Sequence, residues 1–213
     1  GRRDQALFGI VQGGDSKELR AESVEFLTSL DFPGYSIGGL SVGEPKETLY
    51  SIAQYTASLL PTEKPRYLMG VGSPEDLVEC VSCGIDMFDC ALPTRIARNG
   101  ALFTNSGRVN IRNSRFKMEP GPVDTECDCY TCRTFSASYL HHLFKCQELF
   151  GYRVATLHNL RFVIKLMRKI RQTIVAGSFD KFRQKFLAGY QTCDDEVRFT
   201  QKQKWLKSMR AKQ

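Results

Sequence analysis

Short apolar runs alternate with amphipathic stretches through the first hundred residues of the chain. Four runs, over 6–11, 35–40, 66–71 and 85–88, end in glycine or polar residues, and apolar residues at helical spacing follow the first three. Such runs are typical of buried strands, and apolar residues three and four apart are typical of helices. The alternation predicts parallel βα units, either in a small open sheet or in part of a (β/α)₈ barrel.

Local signals predict where the helices begin. Asp15 is placed to cap the first helix. One face of that helix is predicted to carry Leu19, Ser23, Phe26, Leu27 and Leu30. A second helix is predicted over 46–60. Ser73-Pro74 combines a capping residue with a first-turn proline and predicts a third helix over 75–83.

Ligand chemistry in parallel sheets and barrels belongs at the carboxyl ends of the strands. Four short stretches follow the predicted strands and are therefore expected around one mouth: Gln12, Gly38-Gly39-Leu40, Met69-Gly70 and Asp89. The glycines can donate backbone amides and let a planar heterocycle approach closely, or they can simply form tight turns between strand and helix.

Asp86 and Asp89 are the candidate catalytic acids of the fourth run. Side chains three residues apart in a strand point to opposite faces, so only one of the two faces the site. Asp89 is nearer the end of the strand and is the better candidate. By residue type alone, Asp89 can be a nucleophile, a base, a metal ligand or an ion-pair partner of Arg95 or Arg98.

After residue 100 the pattern changes. Alternation over 101–113 around Asn105-Ser106-Gly107 predicts a β-hairpin. Helices are predicted over 136–150 and 159–175, and Gly177-Ser178 is predicted to break the chain before a last helix over 179–187.

Cys127, Cys129 and Cys132 form a C-x-C-x₂-C cluster, and His158 follows after 25 intervening residues. Three thiolates and one imidazole make a closed tetrahedral zinc site, which is structural because no ligand position is left for water. His141 and His142 are the second choice for the fourth ligand. Both belong to the helix that adjoins the cluster and are too close to the cysteine loop to fold back onto it easily.

Cys80 and Cys83 form a separate C-x-x-C pair. The pair lies inside a predicted helix, and no second pair completes a metal site around it. We therefore interpret both thiols as packing residues rather than as a redox or metal motif.

Positive charge is concentrated toward the end of the sequence. The formal net charge is +7, and residues 161–213 hold fourteen Lys and Arg against four Asp and Glu. Such a segment suits a polyanion, although solvated helix faces explain it equally well. No apolar run approaches the ~20 residues that span a membrane, and no signal peptide is visible, so we expect a cytoplasmic protein without a membrane partner.

Seven stretches, in order and spacing, resemble tRNA-guanine transglycosylases of the bacterial type across about 6–190. They are FGIVQGG over 8–14, GGLSVGEPK over 38–46, PRYLMGVG over 65–72, GIDMFDC over 84–90, PTRIARNG over 93–100, CDCYTC over 127–132 and the pair His158-Asn159. The resemblance implies the C-terminal part of a (β/α)₈ TIM barrel with an inserted zinc-binding subdomain that holds one structural Zn²⁺.

The residue pattern and the resemblance together predict the division of the chain. Four segments are expected: βα units of the barrel that carry the active site over 1–100, the β-hairpin and zinc-binding subdomain over 101–160, C-terminal helices over 161–190, and a basic, disordered tail over 191–213.

The activity that the resemblance implies is base exchange in tRNA. Guanine at the wobble position, G34, of a tRNA with a GUN anticodon is replaced by a 7-deazaguanine, preQ1 or queuine, in queuosine biosynthesis. Asp89 is the implied nucleophile, and it forms a covalent aspartyl-ribosyl intermediate. Val42 favours preQ1, because queuine-using relatives tend to have glycine there.

The resemblance assigns two further sets of residues. The base is expected to be bound by Gln12, Gly39, Leu40, Glu44, Tyr67 and Met69. The anticodon loop is expected to be held by Arg95 and Arg98.

The resemblance places the start of the chain at the middle of the barrel, so that the family's general acid/base aspartate is absent. We therefore expect this chain to be inactive alone, and the full-length protein to be a homodimer. One alternative is a non-catalytic tRNA-binding or dimer-partner subunit, which is expected to lose the nucleophile region that is intact here. Another is a metal-dependent barrel hydrolase with Asp89 as ligand, but its His-x-His pattern is missing.

Overall fold

The computed structural model describes residues 4–191 and divides them into two units. Unit one comprises the described part of Gly1–Pro93 together with Lys169–Arg183. Unit two comprises Thr94–Arg168 and the described part of Gln184–Gln213. All but the first residue of the predicted basic tail lies outside the described residues.

Unit one is built on a parallel four-stranded sheet in the order β1-β2-β3-β4. The strands are β1 (Phe8–Val11), β2 (Gly34–Ile37), β3 (Arg66–Leu68) and β4 (Met87–Phe88), and the helices between them are α1 (Lys17–Ser29), α2 (Lys46–Leu59) and α3 (Pro74–Ser82). This order confirms the predicted α/β alternation with parallel strands.

The register of the strands determines which side chains enter the core of unit one. One row across the sheet is formed by Val11, Ile37, Leu68 and Phe88. The first three are completely buried, and Phe88 packs against the same cluster. Apolar residues of α2, including Leu49 and Ile52, complete this core.

The preceding row points to the opposite face, because successive side chains of a strand alternate. It consists of Ile10, Ser36, Tyr67 and Met87. The two residues at its ends are substantially exposed, Ile10 by 44% and Met87 by 46%. The strands therefore pack one face into the core of unit one and turn the other toward the candidate site.

The first and third helices begin at side-chain caps. Ser16, not Asp15, caps α1, because its Oγ accepts a 3.3 Å hydrogen bond from the amide of Leu19. Ser73 caps α3 as predicted, with Pro74 in the first turn. The prediction for Asp15 was wrong by one residue, because Asp and Ser are both good caps and stand next to each other.

The predicted apolar face of α1 was also largely wrong. Leu27 packs against the core, but most of the other apolar positions are half-exposed or more: Leu19, Phe26 and Leu30. The buried residues of α1 are instead Arg20 and Val24. A buried arginine is tolerated where carbonyl oxygens receive its N–H groups, and two glycine carbonyls do so here.

Unit two begins with the predicted β-hairpin. Strands β5 (Ala101–Thr104) and β6 (Gly107–Asn110) pair in antiparallel fashion. A 3₁₀ turn (Ser114–Phe116), α5 (Tyr130–Thr134) and α6 (Ala137–Lys145) follow. The core of unit two includes Leu102, Ile111, Leu140, Phe144 and Val154.

Three helices contribute residues to both units: α4 (Leu92–Arg98), α7 (Leu149–Val175) and α8 (Phe179–Gly189). The predicted break between helices over 136–150 and 159–175 was wrong, since α7 runs without interruption through His158. The break before α7 occurs near Gln147, which has a φ of 59°. Gly177 has a φ of 64° and forms the predicted break after α7.

Within residues 4–191, none of the helices combines the length and the apolar composition that crossing a bilayer requires.

Candidate active site and metal group

The candidate active site lies at the carboxyl edge of the sheet in unit one. Two residues beyond the row of Ile10, Ser36, Tyr67 and Met87 stand Gln12, Gly38, Met69 and Asp89. Backbone hydrogen bonds extend the ladder to this level, from Gly38 N to Val11 O (3.0 Å) and from Met69 N to Ile37 O (3.2 Å). Residues that are 77 positions apart in sequence are thereby brought to one edge of one sheet.

Asp89 is exposed at this edge and is held by two donors. Its Oδ1 accepts a 2.7 Å hydrogen bond from the Tyr67 hydroxyl and a 3.0 Å hydrogen bond from the amide of Gly70. Both favour the charged form, Tyr67 more strongly, and they hold the pKa of Asp89 below its usual value. The same bond raises the pKa of Tyr67 to about 12. At neutral pH the site therefore presents a carboxylate beside a neutral phenol.

Asp86 lies at the amino end of β4 and makes a different contact. Its carboxylate accepts a 2.9 Å hydrogen bond from the amide of Arg66, and its own amide donates to Arg66 O at 2.9 Å. Asp86 therefore joins the starts of two strands, whereas Asp89 lies at their other end.

Gln12 covers a surface made by two glycines. A β-carbon at Gly38 would stand 2.6 Å from Gln12 Nε2, and one at Gly39 would stand 2.8 Å from Gln12 Oε1. Gly39 also has a φ of +67°, which disfavours any residue with a side chain. The backbone conformation favours glycine at Gly39, whereas a side chain at Gly38 would displace the carboxamide of Gln12, which lies directly against the backbone.

Glu44 binds the loop that follows Gly39. Its carboxylate accepts hydrogen bonds from the amides of Ser41, Val42 (3.0 Å) and Gly43 (3.1 Å). Burial raises the pKa of Glu44, but the backbone hydrogen bonds outweigh it, and the pKa falls below its usual value. The Ser41 hydroxyl donates to Gly70 O at 3.2 Å, so the loop is tied to the residue that donates to Asp89.

Arg20 is a site residue that the sequence reasoning missed. Its side chain is completely buried in unit one. Nε donates to Gly14 O at 2.7 Å and Nη2 donates to Gly38 O at 3.0 Å. Its spacing in α1 is that of an ordinary helix residue, so no sequence signal distinguished it.

Unit two contains a metal group formed by Cys127, Cys129, Cys132 and His158. Nδ1 of His158 lies 3.6, 3.5 and 3.3 Å from the three sulfurs, in that order. All four ligand atoms lie within 4.8 Å of one another. The group can hold a metal ion.

The tautomer of His158 suits this role. Its Nε2 lies 2.6 Å from Phe103 O. Because a carbonyl oxygen only accepts, Nε2 carries the hydrogen and Nδ1 turns its lone pair toward the sulfurs. The next residue, Asn159, accepts from the amide of Phe103 at 3.0 Å and donates to Ala101 O at 3.0 Å. Two consecutive residues of α7 thus fasten strand β5 beside the metal group.

Three further contacts hold the cysteine loop against α7. Thr131 Oγ1 donates to Val154 O at 2.6 Å, and Lys165 Nζ donates to Glu126 O at 2.8 Å. Arg161, one helical turn after His158, forms a two-pronged ion pair with Asp128 at 2.9 and 2.5 Å. The ligand loop is therefore anchored on both sides of His158.

The competing histidines lie outside the metal group. His141 is buried and donates from Nδ1 to Ile111 O at 2.8 Å. His142 is exposed, and its ring contacts Cys146 at 3.7 Å. Cys80 is completely buried in the core of unit one, and burial raises the pKa of its thiol, which confirms the interpretation of this residue as packing.

A family model described as "TGT: Queuine tRNA-ribosyltransferase" matches residues 1–192 of the chain. The chain belongs to the queuine tRNA-ribosyltransferase family. The chain is 58% identical over 202 residues to a queuine tRNA-ribosyltransferase of Dehalococcoides mccartyi strain CBDB1, and the match covers 95% of this chain and 52% of that protein.

Two proteins of the same name from other organisms agree. The identity is 55% over 203 residues with the protein of Dictyoglomus turgidum, which covers 95% of this chain and 52% of the relative. It is 54% over 209 residues with that of Herpetosiphon aurantiacus, covering 98% and 53%. The chain spans about half the length of the curated queuine tRNA-ribosyltransferases that it matches.

The residues that the sequence singled out fall into three environments. Gln12, Gly39, Tyr67, Met69 and Asp89 lie along the carboxyl edge of one sheet. Leu40 is buried in the core beside that edge, and Glu44 closes the adjoining loop. Arg95 and Arg98 are exposed on α4, in the part of that helix that belongs to unit two.

Proposed function

We propose that the protein containing this chain is a tRNA-guanine transglycosylase, a pentosyltransferase that exchanges guanine at G34 of a GUN anticodon for preQ1 or queuine. The observation that carries the proposal is the carboxylate of Asp89, held charged by Tyr67 and Gly70 beside the glycine surface at Gly38 and Gly39. Membership of the queuine tRNA-ribosyltransferase family supports it. Because the proposed substrate is tRNA, we also propose that the protein is cytoplasmic.

The proposed reaction has two displacements at one carbon. G34 leaves its stack, and the Asp89 carboxylate attacks C1′ of its ribose while the bond to N9 of guanine breaks. The expelled guanine takes up a proton. The incoming 7-deazaguanine then loses the proton on its N9 as that nitrogen attacks C1′, and the ester bond to Asp89 breaks; both proton transfers are proposed for the general acid/base aspartate of the family. Two inversions give net retention, and the carboxylate is regenerated.

The other residues of the edge bind and orient the base in this proposal. Gln12 and Gly39 hydrogen-bond its polar edge, and Tyr67 and Met69 contact its faces. Leu40 and Glu44 form the far side of the pocket, Leu40 by packing and Glu44 by holding the 41–43 loop. Tyr67 has a second task, since its hydroxyl stabilises the ionised form of the nucleophile and lowers the pKa of Asp89.

We further propose that the four parallel strands belong to a (β/α)₈ barrel. Ile10 and Met87 support this, because both are apolar and substantially exposed on the sheet face opposite the core. In a closed barrel that row is an inward layer of side chains. The general acid/base aspartate and the remaining strands are expected from residues outside these 213.

The metal group is proposed to hold one structural Zn²⁺, within a zinc-binding subdomain over 101–160. With Zn–S near 2.3 Å and Zn–N near 2.0 Å, the sulfur-to-nitrogen edges of a tetrahedron measure about 3.5 Å. The observed separations, 3.3–3.6 Å, fit that size. Cys127, Cys129, Cys132 and His158 would fill all four ligand positions, so a bound ion would fasten the cysteine loop to α7 and would have no open position for base exchange.

The contacts with tRNA are proposed to include Arg95 and Arg98, which are both exposed on α4. The excess of Lys and Arg from residue 161 onward adds a field that attracts phosphates, partly through the C-terminal helices over 161–190. A homodimer of the full-length protein is part of the same proposal. Val42, 84% exposed on the Glu44 loop, favours preQ1, which a competition between preQ1 and queuine tests.

The test is covalent trapping with the full-length protein. Wild-type protein should incorporate radiolabelled guanine into tRNA and form a protein–tRNA adduct on denaturing gels, while Asp89→Asn should do neither and still bind tRNA. Asp86→Asn is the matched control, because it alters the acid at the other end of β4 and should retain both activities. An adduct in Asp89→Asn overturns the nucleophile, and tRNA binding by the wild type without exchange favours a non-catalytic subunit.

A further inference from the structure

Arg20 links two loops of the candidate site through hydrogen bonds to their backbone. Its guanidinium is completely buried and donates to Gly14 O at 2.7 Å and to Gly38 O at 3.0 Å. Gly14 follows β1 and Gly38 follows β2, so a single side chain fastens the ends of two neighbouring strands. The fork of N–H groups on arginine suits two carbonyls at once.

The β1 loop is packed against the same residue. A β-carbon at Gly13 would stand 2.8 Å from Arg20 N and 2.9 Å from Arg20 Cγ. One turn further along α1, Ser23 Oγ accepts a 3.2 Å hydrogen bond from the amide of Gln12. Helix α1 therefore holds the backbone of Gln12 and its two following glycines in one place.

The position of Gln12 depends on both loops together. Its carboxamide lies against Gly38 and Gly39, and Arg20 Nη2 donates to the carbonyl of Gly38. If either loop moved, the carboxamide would lose its register with the amide of Gly39. Of the contacts described for these two loops, those of Arg20 reach a backbone carbonyl in each.

We infer that Arg20 is a positioning residue for the base pocket. It fixes the Gly14 and Gly38 carbonyls, so that the polar groups of Gln12 and Gly39 stay at a constant distance from each other. This inference rests on the proposed base exchange. Because Arg20 is completely buried, its proposed action is through those two loops and not by contact with the substrate.

Burying the charged guanidinium of Arg20 costs free energy that its hydrogen bonds must offset. Nη1 of Arg20 is buried and has no hydrogen-bond partner among residues 4–191. Burial lowers the pKa of Arg20, which the Glu44 carboxylate partly offsets. A lysine would bring a single ammonium and cannot reproduce the planar two-carbonyl contact, so Arg20→Lys should keep the charge and lose the geometry.

Arg66 offers a matched control in the same unit. Its Nη2 donates to Leu60 O at 3.0 Å and its Nη1 to Gly84 O at 3.4 Å, and its Nε is likewise buried without a partner in the described part of the chain. Arg66 stands at the amino end of β3, away from the carboxyl edge. Both arginines stabilise loops through carbonyls, but only Arg20 does so at the proposed pocket.

The experiment compares Arg20→Lys, Arg20→Gln and Arg66→Lys in the full-length protein by exchange of radiolabelled guanine. For both Arg20 variants the KM for guanine should rise on the order of tenfold, the effect of about one lost hydrogen bond at the base. The KM for tRNA and the zinc content should stay within about twofold of wild type. Arg66→Lys should lose thermal stability and keep the wild-type KM for guanine.

Each of the other possible results overturns either the proposed function or the inference about Arg20. A wild-type protein without exchange overturns the proposed function itself. An active wild type with an unchanged KM for guanine in the Arg20 variants overturns the inference, as does an equal rise in Arg66→Lys. Loss of folded structure in both Arg20 variants would make Arg20 a folding residue and would also overturn it.

Discussion

The Tyr67 hydroxyl donates a 2.7 Å hydrogen bond to Oδ1 of Asp89. Tyr67 belongs to β3 and pairs in register with Met87 of β4, two residues before Asp89. Both side chains consequently leave the same face of the sheet, one level apart. The parallel register thus places the proposed nucleophile, and a slip of one residue would turn Tyr67 into the core.

Tyr67→Phe tests the effect of this bond on the charge of Asp89. Because the bond favours the carboxylate, its loss should raise the pKa of Asp89. The acid limb of kcat/KM for guanine exchange should therefore move to higher pH. Tyr50→Phe is the control, since Tyr50 donates a 2.6 Å bond to Asp76, which takes no part in the proposed chemistry. An acid limb that stays in place in Tyr67→Phe contradicts the assignment.

The sign for stability follows from the same shift. A carboxyl group whose pKa is depressed by folding stabilises the protein above its unfolded pKa, and this contribution is lost as pH falls through the depressed value. Asp89 is exposed, so we expect this effect to be small beside its effect on activity.

Gly39→Ala tests whether the glycine surface serves the base pocket. The φ of +67° predicts a loss of about 1–2 kcal/mol in the free energy of unfolding. The new methyl group also displaces the Gln12 carboxamide, so the KM for guanine should rise. Gly177→Ala has a similar φ of +64° with open space around it, and should lose stability without changing that KM. Equal kinetics in the two variants would mean that Gln12 does not act through this surface.

Metal analysis tests the Cys₃His group on this chain directly. Wild type should bind one zinc per chain, whereas Cys132→Ser and His158→Ala should bind almost none and lose the fold of unit two, because zinc binding contributes to folding. His141→Ala and Cys80→Ala should retain the metal, since both residues lie outside the group. Zinc retained after loss of His158, or lost with His141, reverses the choice of fourth ligand.

The sequence predicts most of what depends on local pattern. Strand and helix alternation in unit one, the hairpin at Asn105-Ser106-Gly107 and the cap at Ser73 follow from periodicity and turn chemistry over a few residues. The metal group was also predictable, because its cysteines lie close together in sequence and few histidines compete for the fourth position.

Long-range features escaped the sequence. Burial of Arg20 depends on carbonyls of Gly14 and Gly38, and only the folded sheet brings the second of these within reach. The bond between Tyr67 and Asp89 depends on strand register, which short apolar runs leave open. The boundary before α7 was misplaced because Gln147, with a φ of 59°, ends a helix where neither glycine nor proline marks it.

Asn159→Ala tests how the metal group is coupled to strand β5. The side-chain carboxamide of Asn159 accepts from Phe103 N and donates to Ala101 O, both at 3.0 Å. The preceding residue, His158, donates to Phe103 O. Alanine leaves two buried backbone groups unpaired, at a cost of about 1–3 kcal/mol each. Denaturant unfolding should show this loss together with faster release of zinc to a chelator. Asn110→Ala, at an exposed position of β6, removes only the 3.0 Å hydrogen bond from the amide of Arg112, so it should lose less stability and release zinc at the wild-type rate. A destabilised Asn159→Ala that releases zinc at the wild-type rate would show that β5 and the metal group are held independently.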